Sequence, residues 1–184
     1  MSKNINKNLL KLVLSAMFLA LALVLPFLTG QIAEFGSMLL PMHIPVMLCG
    51  LVCGPQYGLA VGLIAPLMRS LIFGMPPMFP TAISMAFELA TYGLVIGLLF
   101  QKSRWKCIKS LYRSLLISMV AGRVVWGIVQ CILLGFGENG FTISMFVSGA
   151  IAKALPGIIL QLLLVPTVML MLGKTHLVHI NKDN

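Results

Sequence analysis

Long apolar runs, separated by only a few polar residues, recur along almost the whole chain, and about 20 consecutive apolar residues are what one helix needs to cross a bilayer. The runs lie at 8–28, 41–54, 58–73, 81–100, 114–135 and 143–172. Water is the wrong solvent for such a chain. Of its 184 residues 59% are hydrophobic and 9% charged, against about 45–50% and about 25% in soluble domains. The same figures exclude disorder, collagen and a disulfide-rich secreted module. The run at 8–28 follows a lysine-bearing start, yet it exceeds the apolar region of a signal peptide and a further apolar segment succeeds it. The expectation is an all-α integral membrane protein, a single polytopic domain over residues 1–184 with six transmembrane helices.

The net charge of +9 would point to nucleic acid in a soluble protein, but its distribution points to topology. Ten of the 13 Lys and Arg residues fall in three short segments: Lys3, Lys7 and Lys11; Lys102, Arg104, Lys106, Lys109 and Arg113; Lys174 and Lys182. The positive-inside rule puts all three segments in the cytoplasm, and with them both termini. Residues 29–40, 74–80 and 136–141 then face outward. The stretch 29–40 is long enough to act as a lid, whereas the Pro-rich 74–80 is too stiff. Cys49, Cys53, Cys107 and Cys131 show no zinc pairing and read as small packing residues. Gly173-Lys174-Thr175 resembles the end of a P-loop, but Val168 stands where that pattern needs Gly and no strand precedes it. His176 and His179 read as part of a solvated tail, so no metal and no cofactor is expected.

Once the cytoplasmic groups are set aside, the spans hold three cations, Arg69, Arg123 and Lys153, and one acid, Glu88. An ionised side chain deep in a helix costs roughly 2.5–3.5 kcal/mol on insertion scales, so each needs a reason. Side chains three, four and seven apart share a helix face, which makes Thr81, Ser84, Glu88, Thr91 and Tyr92 one polar stripe. Arg123, Trp126 and Gln130 form a second, and Lys153, Gly157 and Gln161 a third. Three polar stripes with an aromatic plate and small residues for clearance suit a pocket for a small polar molecule. The candidate substrate-binding residues are therefore Arg69, Glu88, Tyr92, Arg123, Trp126, Gln130, Lys153 and Gln161. The surplus of positive charge calls for an anionic ligand. The alternative is an internal salt-bridge network in which Glu88 pairs with one of the cations. His43 reads as an interfacial histidine with its hydrogen bonds satisfied, although it is placed to face the same outer cavity. Glu34 and Glu138 belong to outer segments as solvated charges.

These residues resemble a known family, the S components of energy-coupling factor (ECF) vitamin importers. The resemblance rests on Ala16-Met17-Phe18-Leu19-Ala20, similar to the AxxxA docking motif, on the block from Leu40 to Gly50, and on Gly54-Pro55-Gln56-Tyr57-Gly58. The stretches from Phe73 to Pro80 and from Glu88 to Gly93 extend it. It implies a substrate-capturing subunit in a prokaryotic plasma membrane that docks through Ala16 and Ala20 onto a transmembrane coupling subunit served by two ATPase subunits. The chain itself would then be no enzyme. The implied substrate is a water-soluble vitamin or precursor, pantothenate, a nicotinate-like acid or an α-ribazole-like compound before riboflavin, because Pro41-Met42-His43 replaces the acidic residues of riboflavin members. A second class, an MreD-like scaffold of the cell-wall elongation machinery, has no use for three cations and a Trp on buried faces. A membrane enzyme lacks an HExxH motif, paired carboxylates, or a Ser or Cys beside a base.

Overall fold

The computed structural model describes residues 2–28, 41–103, 107–135 and 155–174. Among them all regular structure is helical, as expected. The helices are α1 (Ser2–Leu28), α2 (His43–Val52), α3 (Pro55–Phe73), α4 (Ile83–Lys102), α5 (Ile108–Leu134) and α6 (Leu155–Lys174). Five of the helical segments are long and apolar enough to cross a membrane. The exception is α2, whose 10 residues rise about 15 Å, about half a hydrocarbon core.

The helix ends follow local chemistry. A turn expected over 54–58 is confined to Cys53 and Gly54, because Pro55 sits at the first position of α3, where its fixed φ suits a helix start and its missing N–H costs nothing. Gly54 takes φ 110° there, a conformation open to glycine and few others. Gly74 closes α3 in the left-handed region, its N–H donating to the Ser70 carbonyl at 2.9 Å. The Pro-rich connection leads into α4 through a kinked segment, Met78–Ala82, in which Phe79 is extended at φ −113° and ψ 133°. At the other end, α5 starts at Ile108 rather than near 114, because Lys, Ser and Arg extend a helix as readily as the apolar residues that follow. The outer segments 29–40 and 136–141, residues 143–154 of the sixth run, and the tail with His176 and His179 lie outside the described residues.

Burial is inverted relative to a soluble protein. The outside is apolar, with Leu71, Val120, Ile132 and Leu163 among its large exposed side chains, while His43, Ser84, Glu88, Gln130 and Gln161 are buried. Lipid contributes no hydrophobic force between helices, so close approach of backbones holds such a bundle. Here α2, α3 and α4 meet at glycines. A Cβ on Gly58 would stand 2.7 Å from both the Gly50 Cα and the Gly93 carbonyl oxygen. Buried from His43 to Leu51, α2 packs against α1, α3, α4 and α6, and α4 lies between α3 and α5. That arrangement sets the His43 end of α2 beside the Glu88 stripe.

Candidate functional site

Glu88 lies in the second turn of α4 and is 2% exposed. A bare carboxylate there would be untenable, and three side chains converge on its Oε1. Arg123 on α5 approaches through Nη1 at 3.0 Å. Tyr92, one turn on along α4, donates its hydroxyl at 3.0 Å. His43, at the start of α2, brings Nε2 to 3.7 Å and packs its ring against Tyr92, centroids 5.2 Å apart. Gly122 gives the Tyr92 ring its room, since a Cβ at that position would collide with the ring carbons. One turn toward the start of α4, Ser84 accepts a hydrogen bond from the Gln130 amide at 3.0 Å and donates to the Thr81 carbonyl at 2.9 Å. The first and second polar stripes therefore face each other across the α4–α5 contact, and Glu88 pairs with Arg123.

This ion pair is of the kind that the salt-bridge alternative requires, with Arg123 as the cation that Glu88 takes. Yet only one of its nitrogens is engaged with Glu88. Among the described residues, Arg123 Nε and Nη2 are buried without a hydrogen-bond partner, and so are both nitrogens of His43. Guanidinium Nε and Nη2 form the side-on edge that meets a carboxylate or phosphate with two parallel hydrogen bonds. The group thus has its acid neutralised and still presents unsatisfied donors.

The other candidates divide. Arg69, 7% exposed, is not joined to Glu88 by any hydrogen bond or ion pair among the described residues. Its Nη1 donates to the Leu23 carbonyl of α1 at 2.8 Å. Its guanidinium lies over Phe27 and Phe73, at 5.0 and 5.6 Å from their ring centres. Leu23 lies in the turn before Pro26, the proline inside α1. Trp126 is half-buried one turn from Arg123. Gln161 is 1% exposed on α6 with its Nε2 unpartnered, and no hydrogen bond links it to the Glu88 group. Lys153 lies outside the described residues. On α1, Ala16 and Ala20 are exposed, whereas Ser15, Phe18 and Ala22 are buried, so the small residues of this helix serve two faces.

His43 is the residue that sequence reasoning undervalued. Its hydrogen bonds are not satisfied as expected, and it stands within reach of Glu88. The available signal was one imidazole in an otherwise apolar helix, HIPVMLCGLV. Gly122 was silent because clearance for a ring 30 residues away leaves no mark in a pattern.

A family model described as "ECF transporter, substrate-specific component" matches residues 10–169. No curated protein and no solved structure matches the chain. Of the function classes weighed from the sequence, the match falls on transport and leaves the scaffold without support.

Proposed function

Since the chain belongs to the substrate-specific components of ECF transporters, a family of substrate-binding transport subunits rather than enzymes, we propose that it captures an anionic, water-soluble vitamin or vitamin precursor at the Glu88–Arg123–His43 group. The observation that carries the reading is the unspent edge of Arg123. Leaving buried donors unsatisfied costs about 1–3 kcal/mol each. A ligand carboxylate or phosphate accepting from Nε and Nη2 removes that cost, while Glu88 keeps the free protein tolerable without ligand. Tyr92, Trp126, Gln130, Lys153 and Gln161 complete the proposed pocket. Pantothenate, a nicotinate-like acid and the phosphate of an α-ribazole-like compound fit this chemistry better than riboflavin, which brings neither carboxylate nor phosphate.

The proposal extends to topology and partners. Six crossings, with α2 and its flanking residues as the second, place both termini and the ten clustered cations in the cytoplasm of a prokaryotic cell. The exposed Ala16 and Ala20 present α1 to a transmembrane coupling subunit, and ATP hydrolysis falls to two separate ATPase subunits.

Arg123→Lys tests the site. The substitution keeps the charge and an ion pair with Glu88 but removes the two-donor edge. Ligand co-purifying with the parent protein is identified by mass spectrometry and its affinity measured on both. The expected result is a roughly tenfold to hundredfold loss, the equivalent of one or two charged hydrogen bonds, at nearly unchanged melting temperature. Equal affinity would remove Arg123 from the ligand contacts.

A further inference from the structure

We propose that the basic end of the bundle carries a second site, independent of the substrate reading, that holds the phosphate of an anionic phospholipid between the end of α4 and the start of α5. A cavity of about 360 Å³ opens there. Its polar lining includes Lys102 and Ser103 from the end of α4, and Lys109, Ser110, Arg113 and Ser114 from the first turns of α5. Ser110 donates to the Ser103 hydroxyl at 2.6 Å and so ties the two walls together, while Ser114 donates within α5 to the Ser110 carbonyl at 2.8 Å.

Two features point to phosphate. Lys102, Lys109 and Arg113 are exposed and have no acidic partner, since Glu88 is the sole acid among the described residues and is held by Arg123. Cys107, also in the lining, caps α5 in an extended conformation without a side-chain hydrogen bond. The first N–H groups of this 27-residue helix have no intrahelical acceptor, and an anion near that end is favoured.

The cavity's surroundings point to lipid as the source of that phosphate. Lys109, Arg113, Ile117, Val120 and Val124 recur every three or four residues along α5 and are all exposed, Val120 at 66%. One helix face thus runs from two cations to an apolar track that continues into the membrane. Leu99 and Ile117 line the cavity where the track begins. A headgroup phosphate among the cations with an acyl chain along the track uses both parts, whereas a free anion uses only the first. Basic pockets between transmembrane helices bind anionic headgroups in this way.

The test is native mass spectrometry of the full chain in detergent with equal amounts of phosphatidylglycerol and phosphatidylcholine. The parent is expected to retain phosphatidylglycerol preferentially. The triple exchange Lys102→Gln, Lys109→Gln and Arg113→Gln should lose this preference by roughly fivefold per charge, about a hundredfold in all. Lys3→Gln, Lys7→Gln and Lys11→Gln remove as much charge elsewhere and should leave it intact, as should the charge-keeping set Lys102→Arg, Lys109→Arg and Arg113→Lys. Equal loss in both glutamine sets would reduce the effect to diffuse surface charge and overturn the site. Displacement of the lipid by an equal concentration of inorganic phosphate would overturn the lipid assignment, and absence of preference in the parent would overturn the proposal outright.

Discussion

Arg69, buried, and Arg123, partly buried, are arginines set in long apolar helices, and they solve the same problem in opposite ways. Arg69 is enclosed by a backbone carbonyl of α1 and the faces of two phenylalanines, ligands that carry no formal charge. Its cation–π contacts and hydrogen bond tie α1 to α3 near Pro26 of α1. Arg123 faces the buried acid Glu88, and it keeps two donors unspent among the described residues. A charge inside a membrane helix is therefore not by itself the mark of a ligand site. The distinction lies in what remains unsatisfied after the protein has supplied its own partners.

The sharpest way to break that contrast is to remove one member of the Glu88–Arg123 pair. Arg123→Gln and Glu88→Gln each leave a buried charge without its counterion, and each is expected to lose about 3–5 kcal/mol of stability in detergent unfolding. The double exchange should recover most of the stability but none of the ligand affinity. Recovery of both would mean that the pair is only a structural tie, like the Arg69 contacts.

Arg69→Gln is the reciprocal experiment. It removes a charge-assisted hydrogen bond between α1 and α3, with an expected cost of about 1.5–3 kcal/mol in stability, while ligand affinity stays the same. A tenfold fall in affinity at an unchanged melting temperature would move Arg69 into the substrate group and erase the comparison.

Gly122→Ala works at the margin of the site. Its Cβ has no room beside the Tyr92 ring, and relieving such overpacking costs about 1–3 kcal/mol. Because Tyr92 orients the Glu88 carboxylate, affinity should fall along with stability. Combining the change with Tyr92→Leu should restore part of the stability but not the affinity. Wild-type affinity in the single variant would show that the Tyr92 position is irrelevant to binding.

Smallest for the isolated protein is the pair Ala16→Trp and Ala20→Trp. Both positions are exposed, so stability should shift by no more than about 0.5 kcal/mol and affinity not at all, yet uptake by the assembled transporter should cease. Loss of ligand binding in the isolated variant would show that this face of α1 packs internally.

What the sequence determined by itself was the solvent, the helical class and the identity of the buried charges, because hydropathy and helical period are properties of local runs. The stripes on α4 and α5 were legible for the same reason, Ser84, Glu88 and Tyr92 lying four residues apart. What only the tertiary structure decided was how those charges were shared. That Glu88 takes Arg123, that Arg69 turns to a carbonyl beside Pro26, and that His43 arrives from α2 all depend on how helices cross. The crossings in turn depend on backbone clearance at Gly50, Gly58 and Gly93. A one-dimensional pattern shows that a glycine is present but not which helix it admits. In a bilayer, where apolar burial favours no particular neighbour, that choice of neighbour decides which polar groups meet.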